Sequence, residues 1–231
     1  MTPTHTTQAE TRSATAAHRP WYVSALVAVL AALLLLGGVW AYTRIRSPFP
    51  YYGTAYDAPQ PAAGVSGLSF RGGKVTPYAF TPGEGKTTAL FFGFTHCPDV
   101  CPATLAYLER AQQAMTPAER AKFQVVFVSL DPDRDTPQRL NEYAKYFGQA
   151  QSVQVKEPAL ATLARSYAVS YVKTPLPGTG PGGGYQINHT GATFLIDAAG
   201  RKRLLWDVTQ LGETARVLRD IRQVMNTPGN T

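Results

Sequence analysis

Apolar side chains along this chain fall into blocks of different length and spacing, and each block predicts its own element. The first, WYVSALVAVLAALLLLGGVWAY (residues 21–42), carries no charge and a single serine, Ser24. TTALFFGF (87–94) and QVVFVSL (124–130) are short continuous apolar runs, the pattern of strands buried on both faces. Helical spacing takes over in ATLAYLERAQQAM (103–115), where Leu105, Leu108, Ala111 and Met115 share a face. It returns from Thr136 to Phe147, with Thr136 as N-cap and Pro137 at the first position. Two more helices are predicted, from Pro158 to Ala168 through Leu160, Leu163 and Ala164, and from about Leu211 to Met225 through Val217, Leu218, Ile221 and Val224. Hairpins are predicted where LSF and KVTPYAF flank Arg71-Gly72-Gly73, and where ATFLIDAAGRKRLLW turns at Ala198 to Gly200. Buried strands alternating with helices, closed by a hairpin and a helix, predict an α/β sandwich around a central mixed sheet.

The first block has a different destiny. Twenty-two helical residues rise about 33 Å, against a hydrocarbon core of about 30 Å. Trp21, Tyr22, Trp40 and Tyr42 stand at its ends, where amphipathic rings favour the headgroup region. A cleaved signal peptide has a shorter apolar core, so the length favours an uncleaved single-pass anchor. The expected organisation is a disordered cytoplasmic arm (1–20), a transmembrane anchor (21–42), a tether (43–66), one folded domain (67–226) and a disordered tail (227–231). SPFPYYGTAYDAPQPAAGVS (47–66), with four prolines and no sustained pattern, suggested the tether. The arginines on the two sides of the span nearly balance, and large domains translocate regardless of charge. The expectation is a soluble domain on the periplasmic side of a bacterial inner membrane, bacterial because no clear Arg-rich presequence precedes the span.

Charge changes this picture little. The net charge is +7, of which residues 1–46 account for +3, and the remainder is too dilute for a nucleic-acid footprint. Arg201-Lys202-Arg203, the densest basic run, reads as a solvated hairpin tip. GEGKTT (83–88) mimics the end of a phosphate-binding loop. It lacks the glycine five positions before Gly85 and precedes a strand, so it reads as a surface turn.

The chemistry-bearing feature is GFTHCPDVC (93–101), which contains both cysteines of the chain. Cys97 and Cys101 lie between a buried strand and a helix, and a spacing of four puts them on one face of a helical turn. Pro98, Asp99 and Pro102 suit a helix start, whose dipole favours thiolates. Three readings remain open. A disulfide closing so short a loop stabilises by only about 2 kcal/mol, which a domain with an ample core does not need. A redox pair fits the helix start, although exchangers more often space their cysteines C-x-x-C. A metal site needs a third ligand. His5 and His18 precede the span, His96 is expected to point away from its neighbour, and His189 sits beyond a glycine-rich loop in YQINHTGATFLID. Two thiolates and an imidazole would suit Cu(I).

FFGFTHCPDVCPATL, followed by VSLDPDRDTP and INHTGATFLID, resembles the Sco/SenC family of membrane-anchored copper-binding proteins over residues 67–226. The resemblance implies a thioredoxin-like fold and a role in assembling cytochrome c oxidase. It implies Cys97, Cys101 and His189 as ligands of Cu(I) and Cu(II), and a place near the metal for Asp131, through hydrogen bonding or charge. It also implies a copper chaperone rather than an enzyme, whose partner is the oxidase's copper-binding subunit or another copper chaperone. The alternative activity is thiol–disulfide reduction of the cysteines of the oxidase copper site; peroxide reduction at Cys97 has less to favour it. The chain departs from the family at Asn188, where many members carry aspartate. The glycine-rich stretch 174–184 predicts that a mobile segment brings His189 to the thiolates.

Overall fold

The computed structural model describes residues 20–46, 50–148, 150–178 and 184–227. The expected arm (1–19 of it) and the last residues, 228–231, lie outside these, as does the middle of the glycine-rich loop, 179–183. The chain divides into two units, Met1–Pro50 and Tyr51–Thr231. In the first, α1 (Trp21–Arg46) runs beyond the expected anchor. Its stretch Trp21–Tyr42 is long and apolar enough to cross a membrane, with a mean hydropathy of 2.5.

The second unit contains β1 (Thr54–Pro61), β2 (Val65–Arg71), β3 (Lys74–Phe80), β4 (Thr87–Gly93), α2 (Val100–Gln113), α3 (Pro117–Ala121), β5 (Phe123–Ser129), α4 (Pro137–Ala144), β6 (Gln151–Gln154), α5 (Ala159–Ser166), β7 (Tyr171–Pro175), β8 (Tyr185–His189), β9 (Thr193–Ile196), β10 (Arg201–Trp206), α6 (Val208–Leu211) and α7 (Thr214–Asn226). Eight strands form a mixed sheet in the order β1-β10-β9-β4-β5-β6-β2-β3, while β7 and β8 make a separate antiparallel ribbon. β4 is buried along its whole length, parallel to β5 and antiparallel to β9. Its alternate residues feed two cores. Phe91 packs with Leu105, Leu108, Val217 and Ile221 on one side, and Phe92 with Leu160, Leu163 and Tyr167 on the other. This is the expected mixed sandwich, helices covering both faces. Thr136 caps α4 as predicted, its hydroxyl accepting from Arg139 N at 3.2 Å. Gly72 and Gly73, both at positive φ, form the two-residue turn of the β2–β3 hairpin.

Several elements differ from the sequence expectation. Residues 54–61, assigned to the tether, form β1 and pair with β10 across a register shift between Ala55 and Gln60. Prolines are tolerated there because β1 is an edge strand whose outward side needs no donor. The β2–β3 hairpin is consequently not the first element of the domain. The expected C-terminal helix is α7, opening three residues later than predicted, and a short α6 with an Asp207–Gln210 capping box precedes it. Arg201-Lys202-Arg203 is no solvated tip. Lys202 is buried and donates to Ser166 O at 3.1 Å, while Arg201 and Arg203 both pair with Asp197.

Candidate metal centre

β4 ends at Gly93, and the chain turns through Thr95, His96 and Cys97 before α2 opens at Val100. The turn is pinned by a buried carboxylate. Asp135 accepts from Thr95 N at 3.0 Å, from the Thr95 hydroxyl, and from Ser129 Oγ at 2.7 Å. Cys101 lies fully buried in the first turn of α2, and its backbone N–H donates to Cys97 Sγ at 3.4 Å. Asp99 occupies the N-cap position but makes no side-chain capping bond, so helix amides are left to face the sulfur. Gly93 supplies the room. A Cβ at that position would stand 2.8 Å from Cys101 Sγ and 2.8 Å from the Phe91 ring.

The two thiols, both free here, are not equivalent. Cys97 is partly exposed, and its pKa falls from 9.0 to about 4. The hydrogen bond from the Cys101 thiol contributes most, with help from His189 and the amides of Asp99 and Cys101, against the opposing effect of burial. Cys101 is pushed upward, first by its hydrogen bond to Cys97 and then by burial. The exposed sulfur therefore loses its proton first and the buried one keeps its own.

His189 ends β8, opposite Tyr171 of β7. Its ring meets Phe91 and Phe94 edge-on, at centroid distances of 6.3 and 5.9 Å. Nδ1 lies 3.0 Å from Thr190 O, a contact that requires the proton on Nδ1 and leaves the Nε2 lone pair free. Nε2 in turn stands 3.8 Å from Cys101 Sγ, and the donor atoms of Cys97, Cys101 and His189 all lie within 4.8 Å of one another. An ion about 2.0–2.3 Å from each donor needs trigonal donors about 3.5–4 Å apart, so the three fit one soft metal with little movement. The fold thus gathers the three predicted ligands.

The other expectations divide. Asp131 is fully buried. Its carboxylate accepts from Tyr185 OH at 2.6 Å and pairs with Arg134. Its link to the strand that carries His189 therefore runs through Tyr185, the first residue of β8. His96 points away from the thiols, as expected. Arg139 Nη2 donates to its Nε2 at 3.1 Å, and its pKa is lowered by burial and then by Arg139 and Arg134. Asn188 donates across the ribbon to Thr174 Oγ1 at 3.1 Å, so the departure from aspartate is absorbed within β7–β8. Asp135 and Gly93 were missed as site residues. Asp135 could have been read from the third aspartate of DPDRDTP, whereas nothing in the sequence marks Gly93 as neighbour to a sulfur.

Similarity to known proteins follows the same residues. The SCO1/SenC signature matches residues 69–226. A mitochondrial SCO1 homologue of Arabidopsis thaliana is 43% identical over 113 residues, covering 48% of this chain and 33% of that protein. The apo Sco1 structure from Thermus thermophilus is 34% identical with a TM-score of 0.66, covering 77% of this chain and 98% of that one. ScoI of Bradyrhizobium japonicum, solved with copper bound, is 29% identical with a TM-score of 0.57, covering 72% and 98%. The chain spans 33% to 61% of the length of the curated relatives it matches. Its fold is the thioredoxin-like mixed α/β fold of these structures. With the family signature running from β2 to the end of α7 and enclosing both cysteines and the histidine, the chain belongs to the SCO1/SenC family.

Proposed function

We propose that this protein is a membrane-tethered copper chaperone that binds Cu(I) and Cu(II) through Cys97, Cys101 and His189. The carrying observation is the convergence of two sulfurs and an imidazole Nε2 within 4.8 Å, the soft donor set that suits Cu(I). Copper bound in the Bradyrhizobium relative supports the same reading. The metal is cargo here. A three-coordinate site open on the Cys97 side leaves room for an incoming thiolate, so transfer proceeds by ligand exchange. The acceptor in this reading is the dinuclear copper centre of cytochrome c oxidase, or a further copper chaperone. Residues 21–42 form the anchor and residues 1–20 the cytoplasmic arm, with the domain on the periplasmic side of the inner membrane. The test is titration of the reduced full chain in detergent with Cu(I) against a competing chelator, with absorption spectra of the Cu(II) form. One equivalent should bind, with thiolate-to-copper charge transfer, and His189→Ala, which removes a ligand outright, should weaken binding by more than the about tenfold that losing an outer partner of a ligand costs. Undiminished affinity in His189→Ala would refute this ligand set.

A second activity is favoured by the unequal thiols. Cys97, with its pKa near 4 and an exposed edge, is built as the attacking thiolate. It would displace one sulfur of a partner disulfide to form a mixed disulfide. Cys101, giving up its proton to the departing partner thiolate, would then attack Cys97 Sγ. The partner ends as a dithiol and the Cys97–Cys101 pair as a disulfide, a two-electron exchange that would keep the oxidase cysteines reduced.

A further inference from the structure

We infer that Arg134, Tyr185 and Asp131 form a clasp that sets the position of His189, an inference that rests on the ligand set just proposed. The reason such a device is needed lies in the topology. Cys97 and Cys101 are held by β4 and α2, inside the main core, whereas His189 ends a two-stranded ribbon that shares no ladder with the main sheet. An isolated two-stranded ribbon is marginal in water. The placement of its last residue therefore depends on side chains that tie the ribbon to the body.

The ties converge on Tyr185, which opens β8 four residues before His189. Its hydroxyl donates to the buried Asp131, and its carbonyl accepts from Arg134 Nη1 at 3.0 Å. Arg134 closes the loop by pairing with Asp131 through Nε, and its guanidinium carbon lies 3.7 Å from the Tyr185 ring centroid. Lys173, on the partner strand β7, lies over the same ring at 5.1 Å and pairs with Asp133 of the same β5–α4 loop. Both strands are thus fastened to one loop, and that loop also carries Asp135, which pins the turn leading to Cys97. One segment, 131–135, consequently fixes the approach of the histidine and of the exposed thiol together. Ile187, buried between Tyr185 and His189, transmits the constraint along β8. Arginine suits the central role because its planar fork reaches the carboxylate and the carbonyl at once, which an ammonium cannot do.

Asp131, Arg134 and Tyr185 are positioning residues, since none of them supplies a ligand atom to the proposed centre. The test uses the reduced full chain in detergent, with Tyr185→Phe to remove the hydroxyl and Arg134→Lys to keep the charge but lose the fork. Cu(I) affinity is measured by chelator competition, and the ligand set by X-ray absorption at the copper edge, with melting curves as a check on folding. Both variants should bind Cu(I) about tenfold more weakly, with a diminished nitrogen contribution, unchanged sulfur and near-native melting. A merely structural role would lower the melting temperature without changing the ligands seen by copper. Wild-type affinity and a full nitrogen contribution in both variants would overturn the clasp alone. Equal affinities in wild type and His189→Ala would overturn the ligand set, and this inference with it.

Discussion

Gly93→Ala is a stringent test of how tightly the buried cysteine is held. Gly93 does not adopt the left-handed conformation, so alanine meets no backbone strain and the whole effect is one of space. The new methyl carbon would lie 2.8 Å from Cys101 Sγ, 2.8 Å from Phe91 Cε1 and 3.1 Å from Phe127 Cε2, and all three neighbouring residues are fully buried. Something must shift, and β4, the middle of the sheet, is the least able to do so. Overpacking of this kind costs about 1–3 kcal/mol, while removing a glycine from the unfolded chain returns about 0.4–1 kcal/mol. Midrange values leave a net loss of about 1.3 kcal/mol, or about 3–5 °C in Tm for a domain of this size. Thermal unfolding followed by circular dichroism measures the loss, and Cu(I) competition reads the accompanying displacement of Sγ as weaker binding. In a Cys101→Ala background the sulfur contact is gone but the Phe91 contact remains, so the cost of Gly93→Ala should shrink without vanishing. An unchanged Tm and unchanged copper affinity in the single variant would refute the claim that Cys101 is seated against β4.

Three further outcomes follow from the same geometry. Because the Cys97 pKa is lowered from 9.0 to about 4, its alkylation rate should stay nearly flat from about pH 8 to about pH 5 and fall only through pH 4; Cys101→Ala, which removes the leading cause, should move that midpoint upward. The sign for stability is that of a depressed acid. The contribution of Cys97 is full above the ordinary thiol range and is lost as pH falls through about 4, which acid unfolding of wild type against Cys97→Ala would measure. Asp220, fully buried in α7, accepts from Tyr52 N at 3.0 Å, Gly53 N at 2.9 Å and Trp206 Nε1 at 3.1 Å. Asp220→Ala would strand two buried donors and one half-buried one at a cost of about 3 kcal/mol, lowering Tm by about 6–12 °C and exposing the Tyr52 and Gly53 amides to hydrogen exchange.

What could be read from the sequence, and what could not, follows from how local each signal is. β4 and β5 announced themselves because both faces of each are buried and the apolar run is unbroken. Thr136-Pro137 marked a helix start because capping is decided within four residues. β6 escaped, since QSVQ has one apolar residue and its polar Ser152 and Gln154 are buried, the Gln154 amide donating to Pro132 O and Asp135 O. β1 escaped because its prolines are forbidden only in a central strand. The basic run at 201–203 was misread for a related reason. Arg201 and Arg203 share the nearby Asp197 carboxylate, while Lys202 finds Ser166 O and the Tyr56 and Tyr167 rings, all distant in sequence.

The centre itself shows the same division between local and distant causes. Cys97, Cys101 and the helix start between them occupy five consecutive positions, and the largest cause of the lowered Cys97 pKa is the neighbouring Cys101 thiol, so their chemistry is legible at once. His189 comes 88 residues after Cys101, on a ribbon joined to the body by side chains rather than by a ladder. The two proposed activities therefore lean on different parts of the fold. Thiol exchange needs the strand-to-helix turn and the asymmetry within it, whereas tight copper binding also needs β7–β8 to be held in place. A perturbation of the ribbon should weaken copper binding first, and a perturbation of Gly93 or Asp135, which seat the thiols, should damage both. That ordering separates the two roles by structural element, without requiring that either be absent.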